Sequence, residues 1–446
     1  MIQKERARSR AEGRLLALMI AVALIGAVLP SLIRERQTLR GVGESTVSAE
    51  SGNGTGDKPG EGISDKECHA LPVAAVRQKV PLLREGVRAL WIASAYGIDY
   101  PSEEGGCLAD MKAEINRIVQ NAVDMGMSAV FFQVRPAADA LYRSEIFPVS
   151  EVIGGELRFG FDPLDELCRA AHRAGISVVA WVNPLRVTLS VAQTNEQALS
   201  ALPQGSPAAA HPEYCCFPGG RLWFDPGFPE VRELVAAGVA EIVSGYPVDG
   251  VVFDDYFYPY PSTFEGWDDS ESYGLYGGGA DIGDYRRNNI NELIRVCSEA
   301  VHEADGDCVF GVAPFGIWRN SSIDERGSDT RGFSAYDGIY ADALAWVRNG
   351  SVDFLSPQIY FRRDDVAASA SVLMQWWSDA LGGSGVPLIY SLADYKASLW
   401  EDGREISEQE QLAADLPGCI GCAHYGYGAL CADDFGVRSC LSEGIG

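Results

Sequence analysis

Two adjacent carboxylates, Asp254 and Asp255, end the apolar run Val251–Phe253, and Tyr256, Phe257, Tyr258, Pro259, Tyr260 and Pro261 follow at once. Like charges side by side repel unless a partner or a shared proton offsets them, so such a pair tends to hold one carboxyl with a raised pKa. A carboxyl that keeps its proton near neutrality is what general acid catalysis needs. Aromatic rings offer apolar faces on which a pyranose can stack, while amides and carboxylates pair with its hydroxyls. These residue types together fit glycoside hydrolysis, which requires a carboxyl pair and neither a metal nor an organic cofactor. The competing structural reading is a pair that caps the next loop or holds a structural cation.

The carboxylates must be positioned by the element they end. From Arg84 onward, short apolar runs alternate with helical patterns. The runs are GVRALWIAS, SAVFFQVRP, ISVVAWVNP, VDGVVFDDY, CVFGVAPFG, VDFLSPQIY, VPLIYSLAD and CIGCAHYGY. Between them DPLDELCRAAHRAG is the clearest helix, with Asp162 as its cap, Pro163 in its first turn and Gly175 at its end. PEVRELVAAGVAEIVSGY is another, whereas a helix after the eighth run is poorly defined. Continuously apolar strands separated by helices argue for a parallel sheet covered by helices. Eight such units close a (β/α)₈ TIM-type barrel. The rival, an open doubly wound sheet, ordinarily carries a Gly-rich phosphate loop after its first strand, and WIASAYGIDYPSEEGG contains none.

In a barrel of this kind the active site lies at the C-terminal strand ends. Here those ends carry Gln133 and Arg135, Trp181 and Asn183, Asp254 and Asp255, Phe315 and Trp318, Gln358 and Tyr360. Gln133, Arg135, Asn183, Arg186, Gln358 and Tyr360 are therefore expected to surround the aspartates, with Tyr256 and Trp318 as aromatic platforms. Asp139 is a weaker candidate, since it can equally cap the turn at DALY. No Ser-His-Asp set or HExxH motif occurs, and of five histidines only His424 falls in a strand run.

The rest of the chain bounds partners and location. An excess of 62 acidic over 36 basic residues, a formal charge of −26, argues against nucleic acid as a partner. Residues 1–14 are basic and precede an uncharged stretch, Leu15–Ile33, close to the length that spans a bilayer. The expectation is a cytoplasmic segment (1–14), a transmembrane signal-anchor (15–33), a flexible linker (34–80) and an extracytoplasmic barrel (81–446). A cleaved signal peptide and a secreted protein is the alternative. Eleven cysteines fit export, with local disulfides expected among Cys215, Cys216, Cys419, Cys422, Cys431 and Cys440. CIGC without a second CxxC does not make a zinc site.

The segments REGVRALWIAS, FFQVRPAADALY, AWVNPLRV, VDGVVFDDYFYP, RRNNINELI, GVAPFGIWRN and YADALAWVRNGSVDFLSPQIY, in this order from Arg84 and joined by a WW pair, resemble the glycosyl-hydrolase-like family 10. The resemblance implies a (β/α)₈ barrel and a bacterial glycosidase. The family includes a divisome-localised enzyme that acts on peptidoglycan stripped of its stem peptides. This chain departs from the family pattern at Asp225, in DPGFPEVR, where Asn is usual, and at Phe361, where Trp is common. The first functional reading is an exported, membrane-tethered hydrolase of an amino-sugar polymer, peptidoglycan glycan strands foremost. A hydrolase of another extracellular polysaccharide and a non-catalytic glycan-binding barrel are the alternatives. Consecutive carboxylates approach a sugar from one side, which suits substrate assistance. Asp254 would then orient the 2-acetamido group and Asp255 protonate the leaving oxygen, or the reverse. A two-carboxylate mechanism would need a distant acid, such as Glu145 or Asp394.

Overall fold

The computed structural model describes residues 79–102, 107–157 and 160–443. The basic segment, the candidate anchor and the linker up to residue 78 lie outside the described residues, as does Cys68. Eight parallel strands close into a ring: β1 (Val87–Ile92), β2 (Ala129–Arg135), β3 (Ser177–Val182), β4 (Gly250–Phe253), β5 (Val309–Val312), β6 in two pieces (Phe354–Leu355 and Gln358–Ile359), β7 (Leu388–Leu392) and β8 (Cys419–Tyr425). Each pairs with its successor, and β8 pairs with β1 from Val87↔Gly421 to Trp91↔Tyr425. The sheet therefore has no edge, and the open-sheet alternative falls.

Both faces of every strand are apolar because each face meets a core. Val87, Ala89 and Trp91 of β1 point into the barrel with Phe131, Val179, Trp181, Val252, Phe354 and Ile389. Leu90 and Ile92 point outward under the helices. The interior is stoppered by rings: Trp91 meets Phe131 at 4.8 Å and Trp181 at 4.9 Å, both edge to face. The Trp91 indole N–H finds Ser391 Oγ at 3.2 Å, and Ser391 meets Ser356 at 2.8 Å, so no polar atom of that ring is stranded. Leu82 joins this core at the base, where the Val80 N–H donates to Asp249 at 2.8 Å.

Helices follow the strands in turn: α1 (Leu108–Asp124), α2 (Pro163–Arg173), α3 (Pro229–Gly245), α4 (Ile282–Ala304), α5 (Ala343–Arg348), α6 (Ala370–Ala380) and α7 (Arg404–Ala414). Asp162 accepts from the Leu164 and Asp165 N–H groups with Pro163 in the first turn, as the sequence implies. After β8 the covering helix is split into Tyr427–Ala432 and Val437–Glu443 by left-handed Asp433 and Phe435, which is why no single pattern is legible there. Helix-to-strand returns at the base are short, Arg173 to Ser177 and Gly245 to Gly250 being typical. Strand-to-helix connections at the opposite end are long, running from Val182 to Pro229, from Phe253 to Ile282 and from Val312 to Ala343. The chain thus spends its irregular segments at one rim, where they can build a site.

No disulfide joins two of the described cysteines. Cys215 and Cys216 are successive strand residues, which point to opposite faces, and the Cys216 thiol donates to the Asp268 carbonyl at 3.0 Å. The Cys419 thiol turns to the Gly421 carbonyl. None of the six expected disulfide candidates is bonded to another described cysteine.

Inside the barrel, a Cβ on Gly311 of β5 would lie 2.4 Å from the Phe354 ring. Gly311→Val should therefore lower stability by about 1–3 kcal/mol through overpacking, read as a lower midpoint in chemical denaturation; an unchanged midpoint would mean that Phe354 does not fill the barrel.

Candidate active site

Asp254 is the first residue past β4 and points into the barrel mouth. Its position is fixed by three donors: the Trp181 indole N–H at 2.9 Å, the Asn183 amide at 3.3 Å to both oxygens, and the Tyr256 N–H at 3.2 Å. Trp181 belongs to β3 and Asn183 follows it, so alternate residues of one strand reach over to the next. Burial pushes the Asp254 carboxyl up to about 6, Arg186 pulls against that, and Asp255 adds to it. Asp255 is equally enclosed and accepts the Tyr260 hydroxyl on Oδ2. Burial also raises its pKa, against hydrogen bonding from Tyr260 and Gln358.

Around the pair stands a wall of tyrosines. Tyr360 lies parallel to Tyr425 with centroids 6.1 Å apart, and Tyr395 packs edge-on to both. Lys396 Nζ donates to the Tyr360 carbonyl at 2.7 Å and so fixes the end of β6. On the other side Tyr256 meets Tyr260 at 5.6 Å and Trp223 at 6.5 Å, with the Arg186 guanidinium 5.1 Å above its ring. Arg186 is itself clamped to the Pro136 carbonyl through Nε and Nη2 at 2.9 and 2.7 Å. The result is a polar, ring-lined cup with two carboxyls on one wall, able to grip a sugar and move a proton.

The family model for Glycosyl hydrolase-like 10 matches residues 86–402. The chain belongs to that family. Glycosyl hydrolase YngK of Bacillus subtilis (strain 168) is 35% identical over 369 residues, which is 80% of this chain and 71% of that one. Glycosyl hydrolase DigH of Escherichia coli (strain K12) is 36% identical over 351 residues, 76% of this chain and 79% of that one. Among solved structures, the glycoside hydrolase domain of PgaB (BpsB) from Bordetella bronchiseptica overlays with a TM-score of 0.49 at 14% identity, covering 80% of this chain and 99% of that one. The protein is thus a glycosyl hydrolase by family.

Of the residues singled out from the sequence of this hydrolase, the structure brings Asn183, Arg186, Tyr256, Gln358 and Tyr360 to the mouth with Asp254 and Asp255. Gln133 is at the rim but faces the loop after β1: its Oε1 accepts from the Ser94 and Ala95 N–H groups at 3.0 and 2.9 Å. Arg135 is not in the cup. The register shifts between Gln133 and Arg135, and this bulge turns Arg135 outward under α3, with its guanidinium 3.6 Å from the Phe147 ring centroid. A Cβ on Gly238 of α3 would meet Arg135 Nη1 at 2.5 Å, which explains a glycine there. Asp139 lies between Arg135 and Arg186, its carboxyl raised by burial against both cations. Trp318 is also outside: its indole N–H donates to Asp342 at 3.0 Å and its ring stacks on Trp376. Phe315 takes its place at the rim, 6.4 Å from Tyr260.

The two distant acids lie apart from the pair. Asp394 is fully enclosed with His424 at 3.1 Å, on the helix-facing side of β8. The Ser144–Glu145 segment is hydrogen-bonded to Glu241 of α3, outside the strand ring. The departure at Asp225 has a local role, accepting from the Gly227 N–H at 2.8 Å and the Ser272 hydroxyl at 2.6 Å ahead of α3. Sequence reasoning passed over Tyr96, Trp223, Tyr260, Tyr395, Tyr425 and Lys396. Only Tyr260 carried a signal, as part of the aromatic run behind the aspartates.

The raised carboxyl has a stability signature. Folded Asp254 holds its proton to about 6, whereas the unfolded chain releases it near 4, so between these values rising pH favours the unfolded state. Asp254 should cost up to about 3 kcal/mol above pH 6 and nothing below pH 4. Asp254→Asn should remove that slope, so that variant and wild type differ most at pH 7–8, the variant being the more stable. Parallel pH–stability curves would refute the burial of an ionising Asp254.

Proposed function

We propose that the cup hydrolyses glycosidic bonds in an amino-sugar polymer, with peptidoglycan glycan strands as the substrate, through the substrate's own 2-acetamido group. One observation carries the reading: Asp254 and Asp255 leave one strand together and face the sugar site from one wall, where the distant acids are enclosed or turned outward. A retaining pair must flank the scissile bond from opposite sides at about 5 Å, and an inverting pair stands farther apart. Adjacent carboxyls do neither. Asp254, held by Trp181, Asn183 and the Tyr256 N–H, accepts the acetamide N–H and turns its oxygen onto the anomeric carbon. Asp255 gives its proton to the leaving oxygen, and water later opens the cyclic intermediate. The Tyr360 hydroxyl, close enough to feel the charge of Asp255, hydrogen-bonds the acetamide oxygen. The relatives named glycosyl hydrolases support the reaction class. Leu15–Ile33 supports a membrane tether with the barrel on the extracytoplasmic side.

Asp254→Asn and Asp255→Asn should each lower turnover on purified glycan strands by about 10²–10⁴-fold, with retained binding. Strand binding by the wild-type domain without release of reducing ends would favour the non-catalytic reading instead. Tyr360→Phe should cost about tenfold in turnover with little change in melting temperature. A thiazoline that mimics the cyclic intermediate should inhibit; no inhibition, or equal activity on substrates lacking the acetamide, rules out substrate assistance. Product mass spectrometry on intact and peptide-stripped sacculi identifies the strand form that is cut. For the tether, recovery of a soluble native protein with a new N-terminus between Ser31 and Lys66 would overturn the anchor.

A further inference from the structure

Tyr96 stands in the loop after β1 in a left-handed conformation, φ 57° and ψ 18°. A bulky side chain adopts this region only when its surroundings impose it, and such strain collects at functional positions. Here it is imposed from both sides. The two preceding N–H groups, of Ser94 and Ala95, are pinned by Gln133 Oε1, and the Ser94 hydroxyl donates to the Gln133 carbonyl at 2.7 Å. The Tyr96 hydroxyl donates to the Leu189 carbonyl at 2.9 Å in the loop after β3, which also takes Arg221 Nε at 3.0 Å. This anchoring does not bury the ring, which stays 40% exposed. Tyr256 is 38% exposed and packs on Trp223, two residues along from the Arg221 that shares the Leu189 carbonyl with Tyr96. Most other aromatic rings in and around the cup are half-buried or buried, whereas these two stand open, Tyr96 at the cost of a left-handed backbone.

We propose that Tyr96 and Tyr256 form a second sugar subsite, which stacks the polymer residue adjoining the one held at Asp254 and Asp255. Continuity argues for a sugar as occupant: Tyr256 directly follows Asp255, packs on the Tyr260 that hydrogen-bonds Asp255, and is backed by Trp223 and Arg186. Two exposed ring faces with hydroxyls at their edges suit the apolar face and equatorial hydroxyls of a pyranose. Gln133 then acts as a positioning residue for this lip. The consequence is a preference for strands over single glycosides. The inference rests on the glycan reading above, and the test separates the two.

The test measures binding to the Asp255→Asn domain, which does not consume the ligand, using peptide-free glycan strands of eight sugars and free N-acetylglucosamine. Adding Tyr96→Ala should weaken strand binding roughly tenfold and leave the monosaccharide unchanged; in the active enzyme KM for strands should rise by the same factor with kcat within about twofold. Tyr96→Phe, which keeps the ring and loses only the Leu189 hydrogen bond, should retain most of the affinity. Tyr96→Gly, which relieves the left-handed strain, should melt no lower than wild type while binding strands as poorly as Tyr96→Ala. Equal strand affinity with and without the ring refutes the subsite alone, as does an equal loss on strand and monosaccharide. A domain that binds no strand at all refutes the glycan reading beneath it.

Discussion

The Trp181 indole N–H reaches Asp254 at 2.9 Å, and much of the mouth depends on that contact. Trp181 has its ring in the barrel's interior core, against Trp91, and its polar edge at the floor of the site. Packing and chemistry therefore share one side chain: anything that shifts the stopper of rings shifts the donor that holds the carboxylate. Two carboxyls placed side by side with almost no solvent would be a severe liability without such donors. Trp181, Asn183, the Tyr256 N–H, Tyr260 and Gln358 are the compensation, and it is incomplete, as the upward shift of both groups records. The incompleteness lets Asp254 keep its proton up to about 6.

Charge buried elsewhere in the barrel is handled differently. Between β8 and α7, Arg88 pairs with Glu410 at 2.7 Å, and His424 faces Asp394 at 3.1 Å and Glu410 at 3.6 Å. Burial works against these ions, yet pairing holds His424 up at about 9 and Glu410 down at about 2. Here opposite charges face one another, so His424 and Glu410 stay charged near neutrality. At Asp254 burial outweighs the pull of Arg186, and at Asp255 it outweighs the hydrogen bonds, so both carboxyls are raised. That contrast separates a group that ties a helix to the barrel from one suited to catalysis.

The rim has its own logic. Long connections after β3, β4 and β5 carry irregular backbone to one end of the barrel, and tyrosines stiffen them. Tyrosine suits this task because its ring packs while its hydroxyl takes or gives a hydrogen bond, as Tyr260 does to Asp255 and Tyr96 to the Leu189 carbonyl. The result is a cup whose walls are apolar in area and polar at their edges.

The sequence alone determined the strand count and the parallel α/β order, because eight apolar runs alternate with helical patterns, and it pointed to one rim because five of those runs end in polar or aromatic residues. It also pointed to the aspartate pair, since two adjacent carboxylates at the end of an apolar strand stand out in the residue pattern. It could not determine which way a residue faces, because strands apolar on both sides carry no alternation to read. One irregular residue at the end of β2 sent Arg135 out under α3 instead of into the cup, and a one-residue slip of that kind leaves no trace in composition. Trp318 looked like a platform until Asp342 claimed its indole N–H and Trp376 stacked on its ring. Tyr96, Tyr395, Tyr425 and Lys396 gave no local signal, for their roles arise only when loops far apart in the chain meet over one opening. Pattern fixes periodicity and end chemistry because those are local; side-chain direction past a strand end is decided by the partner that closes on it, and only the folded barrel supplies that partner.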